Sequence, residues 1–156
     1  MSTSATRPAV AVSPSASTAL RLARAGAVFY VLWSVLHVVA AWFILAPALE
    51  PLAGIEPGAA HGRIYQNSGL MVTVSLAAIV VAVSLNWRNE RVGYWLNLLL
   101  VSGTDIAFIA FVLIPGDEPV PNGLVGPALW VIATVLSTAG LLLGRAGVHQ
   151  RRTSVS

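Results

Sequence analysis

The sequence contains no cysteine, no lysine and little charge of either sign. Without cysteine, disulfide bonds, thiolate catalysis and cysteine-ligated metals are excluded. Only 10% of the residues are charged, whereas soluble domains carry about a quarter. The nine basic residues are all arginines and lie in predicted tails and loops rather than in one basic stripe, so nucleic acid is not an expected partner.

Apolar residues dominate what is present. They make up 56% of the 156 residues, and the mean hydropathy is +0.79. This composition predicts that a lipid bilayer is the main surrounding of the chain, and the length suits one compact domain. Arginine without lysine, beside much alanine and valine, suggests GC-rich bacterial coding DNA, and hence a multi-pass protein of a bacterial plasma membrane.

Four apolar stretches each match the roughly 20 residues that a helix needs to cross a hydrocarbon core of about 30 Å. They lie at about 25–46, 64–85, 92–114 and 124–143. Because they lack the alternation of barrel strands, the sequence predicts an all-α integral membrane protein, an up-and-down four-helix transmembrane bundle within 21–146. Residues 1–20 and 147–156 have little to bury and are predicted to be disordered tails.

The arginines predict the orientation of the bundle. They cluster before the first span, between the second and third, and after the fourth, whereas the other two connections are mainly acidic. By the positive-inside rule, both termini are expected in the cytoplasm. The first span has an alternative reading as a cleavable secretory signal, but its apolar run exceeds the usual 7–15 residues, so a retained helix is favoured.

Asp105 is the only acidic residue inside a predicted span, and such groups usually mark functional sites. It lies about 20 Å along the third span, and His37 lies about 18 Å along the first, measured from the same side. In an up-and-down bundle these two spans are diagonal, so inward-facing side chains meet directly or through a water. The hypothesis is a catalytic or proton-relaying pair, with His37 as the partner of Asp105.

Further polar and aromatic residues are predicted to line a cavity around this pair and bind a small lipophilic ligand. Tyr30 and Trp33 share the surface of His37, and Asn97 and Ser102 share the face of Asp105. Three residues near the outer end of the second span are predicted to form the mouth of the cavity: Arg63, Gln66 and Asn67.

The sequence leaves the function open among three classes, and with it whether the chain is an enzyme. The first is acid/base chemistry, such as an isomerase or cyclase of lipid-like molecules, and the second is a proton-coupled transporter or channel acting as a homodimer. The third is an accessory subunit in which Asp105 only joins helices, a contact worth about 0.6–2 kcal/mol. No metal or cofactor is predicted, because no helix carries a Glu-x-x-His pattern, one intramembrane histidine cannot supply bis-His haem ligation, and Gly-rich nucleotide motifs are missing.

Overall fold

The computed structural model describes residues 14–49 and 58–153, and every regular element in these ranges is helical. A 3-10 turn at Asn86–Arg88 precedes the third helix, and a π-helical segment at Ile109–Leu113 continues it. The α-helices are α1 (Pro14–Leu49), α2 (Ala59–Ser84), α3 (Arg91–Phe108), α4 (Val120–Gly123) and α5 (Val125–Thr153).

Four helical stretches are long and apolar enough to cross a membrane. They correspond in order to the four predicted spans, and they run over Ala16–Leu49, Ala59–Arg88, Arg91–Leu113 and Val120–Ala146. The chain is thus an all-helical protein with the composition and helix lengths of a membrane protein.

The first and last helices are longer than the sequence indicated. α1 begins at Pro14, because proline is well suited to the first position of a helix, and so includes part of the predicted N-terminal tail. α5 likewise continues to Thr153, into the predicted C-terminal tail. Residues 1–13, 50–57 and 154–156 lie outside the described ranges, and with them the rest of both tails.

α1 also continues past Pro47, where the sequence predicted its end. A proline inside a helix removes one hydrogen bond and crowds one carbonyl, which weakens a helix without always ending it. Here α2 supports the last turn of α1, because His61 Nε2 and the Tyr65 hydroxyl both bond to the Ala48 carbonyl, at 2.9 and 3.1 Å. Side chains of α2 thus satisfy a carbonyl that has no partner within α1.

α1 is the central helix of the bundle. It packs most extensively against α5 and α2, whereas α3 packs against α2 and α5, so α1 and α3 lie diagonally across the core. The contact between α1 and α5 is close because small residues face each other there. A Cβ on Gly140 of α5 would lie only 2.8 Å from the Ala23 backbone nitrogen, and one on Gly26 of α1 would overlap Ser137.

The connection between α2 and α3 is tied to α5. Asn89 adopts a left-handed backbone conformation with φ of 59°, which asparagine tolerates better than most residues. Its side-chain amide donates to the Gly140 carbonyl at 3.0 Å. Gly93, in the first turn of α3, lies so close to Leu85 and Asn86 that a Cβ would not fit.

Candidate functional site

Asp105 lies on the inward face of α3 and is completely buried. Its carboxyl oxygen Oδ2 accepts a hydrogen bond of 2.7 Å from the indole Nε1 of Trp33, which is also fully buried. This bond crosses the bundle from α1 to α3. The diagonal approach expected from the sequence is therefore present, but the side chain of α1 that bonds directly to Asp105 is Trp33 rather than His37.

His37 lies one turn after Trp33 on α1, and its ring stacks on the indole with centroids 3.8 Å apart and an interplanar angle of 26°. Its Nδ1 is 2.9 Å from the Trp33 carbonyl oxygen. Because a carbonyl only accepts hydrogen bonds, Nδ1 is the donor and carries a proton. Nε2 is then the nitrogen available for proton exchange.

Gly126, in the first turn of α5, brings His37 and Asp105 to the same point. A Cβ on Gly126 would lie 3.2 Å from His37 Cε1, 3.7 Å from His37 Nε2 and 3.5 Å from Asp105 Oδ1. The glycine therefore lets the backbone of α5 approach both side chains. We call Trp33, His37, Asp105 and Gly126 the Asp105 cluster.

The start of α5 is fixed by Pro127. Proline has no N–H and crowds the carbonyl four residues earlier, which here belongs to Gly123, the last residue of α4. The helical path is interrupted at Leu124 and starts again at Val125. As a result, the first turn of α5 lies beside Asp105, and the first turn of a helix is the end that interacts favourably with negative charge.

One oxygen of Asp105 has no hydrogen-bond partner among the described residues. Oδ1 is buried and unpaired, although it faces the same point beside Gly126 as the His37 ring. His37 and Asp105 thus lie close together without a direct bond. His37 retains 8% of its surface exposed, whereas Asp105 retains none.

Some of the other predicted residues lie in polar contacts near the Asp105 cluster. The Tyr30 hydroxyl is 3.4 Å from Thr134 Oγ1 of α5, and Trp130 of α5 donates to the Ser102 hydroxyl at 2.9 Å. Sequence reasoning missed Gly126 as a member of the Asp105 cluster, and Trp130 and Thr134 as the partners of Ser102 and Tyr30. The Gly-Pro pair at the start of the fourth span was the available signal, because glycine at a helix end permits close backbone approach.

Four predicted site residues are not close to Asp105. Asn97 is buried two turns earlier on α3 and donates to the Ala78 carbonyl of α2 at 3.3 Å. The three predicted mouth residues are exposed near the start of α2 and make local contacts, in which Arg63 donates to Gln66 at 2.8 Å and Asn67 approaches Met71. The structure therefore does not bring the predicted mouth residues to the Asp105 cluster.

The π-helical segment begins four residues after Asp105 and was not predicted. The Ile109 amide bonds to the carbonyls of both Asp105 and Ile106, and the Ile114 amide then bonds to Ile109, five residues back. π-Helical segments are rare, and those that occur are often found at functional sites. Within the described ranges, no three His, Asp or Glu side chains lie close enough together to hold a metal ion.

Comparison with protein-family models, with curated proteins and with solved structures found no match for this chain. A functional assignment therefore depends on the geometry of the Asp105 cluster and on the distribution of charge along the chain.

Proposed function

We propose that this chain is a multi-pass protein of a bacterial plasma membrane, with both termini in the cytoplasm, that binds and releases a proton at Asp105. This proton exchange is coupled to transport across the membrane, and the carrier or channel is a homodimer of this chain. Four apolar helices and the arginines at the predicted inner ends support the membrane placement and orientation. A dimer is invoked because four helices enclose little volume on their own.

The observation that carries the proposal is the unpaired Oδ1 of Asp105. Buried polar atoms nearly always have a hydrogen-bond partner, and exceptions call for an explanation. A carboxyl oxygen without a partner, inside a helix of membrane-spanning length, is an atom at which a proton can be gained and lost. Intramembrane acidic residues of pumps and transporters commonly have this role.

His37 is proposed as the group that exchanges the proton with Asp105. Its Nδ1–H is engaged by the Trp33 carbonyl, so the ring presents Nε2 on the side where Oδ1 lies. Proton exchange between the two groups requires a rotation of either side chain that brings Nε2 and Oδ1 into hydrogen-bond distance. In this proposal the proton reaches Asp105 through His37, the titratable side chain that approaches the same point beside Gly126.

The size of the site favours a proton over a larger ligand. Asp105 and Trp33 are fully enclosed, and a single methyl group on Gly126 would already touch both His37 and Asp105. An isomerase or cyclase acting on a lipophilic substrate needs space beside the carboxyl, which requires α5 to move away from α3. The transport proposal requires only a side-chain rearrangement.

Proton flux into liposomes tests the proposal. Purified protein is reconstituted, a pH gradient is imposed, and its decay is followed with an enclosed pH-sensitive dye. We expect the wild-type chain to speed the decay and Asp105→Asn to abolish the effect, because asparagine keeps the shape and the Trp33 contact but takes up no proton.

Asp117→Asn is the matched control, because Asp117 is an exposed acid in the connection after α3, and it is expected to behave like the wild type. Equal flux in the Asp105→Asn variant and the wild type would contradict the proposal. A wild type indistinguishable from empty liposomes would favour the accessory-subunit alternative.

A further inference from the structure

An apolar groove lies on the surface between α1 and the end of α2. It has a volume of about 130 Å³, close to the roughly 150 Å³ of an apolar cavity that binds benzene, and its exposed lining is apolar. A groove of this size accommodates a short stretch of hydrocarbon. The lining residues are Ala27, Val28, Val31, Leu32, Val83 and Trp87.

A positive charge is held at one end of this groove. The Arg24 guanidinium lies over the Trp87 ring, 5.3 Å from its centroid, so the residue that closes the groove also positions the cation. Arg24 precedes Val28 and Leu32 by four and eight residues, and these positions share one face of α1. The groove therefore runs along α1 from a charged end to an apolar end.

We propose that this groove binds an anionic phospholipid, with a segment of one acyl chain between α1 and α2 and the phosphate against Arg24. A guanidinium held over an aromatic ring still has N–H donors that can bind a phosphate. The arrangement matches an amphiphile whose head lies at the predicted cytoplasmic surface. Anionic lipids of that leaflet attract basic residues beside a membrane span.

The charges around Arg24 favour an anionic over a neutral lipid. Arg21 lies one turn earlier on α1, Arg88 follows Trp87 directly, and both are exposed. Glu90, in the same connection, is the acidic residue nearest to Trp87 in the sequence. The groove is separate from the proton site, because Arg24 and His37 are about 20 Å apart along α1.

Native mass spectrometry of the full-length protein tests the proposal. The protein is released from nanodiscs that contain equal amounts of phosphatidylglycerol and phosphatidylcholine, and the retained lipid is identified. We expect one phosphatidylglycerol per chain. Arg24→Gln is expected to lower its retention about five-fold, which corresponds to the roughly 1 kcal/mol of one arginine near an anionic surface.

Two matched controls separate this site from general attraction. Arg145→Gln removes an equal charge at the same end of the bundle but from α5, and it is expected to leave retention unchanged. Val28→Trp fills the groove and is expected to reduce retention of either lipid, whereas Val39→Trp, at an equally exposed position of α1 outside the groove, is not.

Three results would overturn the proposal. The first is equal retention of the two lipids by the wild type, and the second is an equal loss in the Arg24 and Arg145 variants. The third is a lipid-free dimer that dissociates on Val28→Trp, since it would show that a second copy of the chain fills the groove. Helix content of each variant, measured by circular dichroism, verifies that it is folded.

Discussion

At the residue scale, the two carboxyl oxygens of Asp105 have different surroundings. Oδ2 is held by the Trp33 indole across the bundle, and Oδ1 has no partner. Trp33 therefore does two things at once: it orients the carboxyl, and through its ring and carbonyl it also orients His37. The geometry of the Asp105 cluster depends on this one residue.

Replacing Trp33 with phenylalanine tests this dependence. The ring that stacks on His37 is largely kept, but the N–H is lost and both oxygens of Asp105 become unpaired. A buried polar atom without a partner costs about 1–3 kcal/mol, and the smaller ring adds a cavity cost. Thermal unfolding in detergent, followed by circular dichroism, should show a clear loss of stability.

Measuring Trp33→Phe in a second background separates the cost of the lost hydrogen bond from the cost of the cavity. In an Asp105→Leu chain no oxygen remains to be left unpaired, so Trp33→Phe should cost less there than in the wild type. Trp42→Phe, at a position of α1 that is 59% exposed, should have little effect in either. An equal cost of Trp33→Phe in both backgrounds would show that the bond to Asp105 contributes nothing.

At the residue scale, the sequence indicated which residues belong to the Asp105 cluster better than it indicated the contacts among them. Counting residues along straight helices placed His37 and Asp105 at similar depth, and the shared approach to Gly126 agrees with that estimate. The direct partner was missed because it depends on side-chain direction and ring size, which let Trp33 reach α3 while His37 stacks against it. Helical spacing shows on which face of the helix a residue lies, but it does not show how far the side chain reaches across the bundle.

At the scale of elements, the contact between α1 and α5 depends on glycines that allow the backbones to approach. Gly140→Ala should destabilise the protein by about 1–3 kcal/mol, the usual cost of overpacking. The new Cβ would meet backbone atoms of Ala19 and Ala23, which cannot rotate away as a side chain can. Thermal unfolding in detergent measures the effect.

Gly69→Ala is the control for this substitution. Gly69 lies inside α2, is exposed, and has no neighbouring atom within 4 Å of the position of a Cβ. Alanine there should be neutral, or stabilising by up to about 1 kcal/mol through helix propensity. If both alanine variants unfold at the same temperature, close packing of α5 on α1 does not stabilise the bundle.

Two irregularities flank the Asp105 cluster, and only the first has a clear signal in the sequence. The interruption at Leu124 follows from Pro127, which lies in the first turn of α5. The π-helical segment at Ile109–Leu113 had no comparable signal, because its residues are apolar and compatible with an ordinary α-helix. Pro115, just beyond the segment, has no N–H to continue an α-helical bond pattern.

At the scale of the whole molecule, four helices of membrane-spanning length could be predicted because hydropathy and length alone decide that property. The observed ends of the helices could not be predicted from the sequence. α1 extends through Pro47 because α2 satisfies the Ala48 carbonyl, and such support from a distant segment leaves no local pattern. The exposed position of Arg63, Gln66 and Asn67 likewise depends on how α2 packs.

The proposed orientation is open to a direct test, since the chain has no cysteine of its own. Single cysteines are introduced at Glu90 and Asp117, both exposed residues in connections at opposite ends of the bundle. With both termini in the cytoplasm, a membrane-impermeant maleimide should label Asp117→Cys in intact cells and Glu90→Cys only after lysis. The reverse pattern would contradict the orientation.

The most direct measurement of the central claim is infrared difference spectroscopy of the protein in lipid, between acidic and alkaline pH. If Asp105 binds a proton, the wild type and Asp117→Asn should show the C=O stretching band of a buried protonated carboxyl at acidic pH. The same band should be missing from Asp105→Asn. A difference spectrum of Asp105→Asn identical to that of the wild type would show that Asp105 takes up no proton, and would contradict the account.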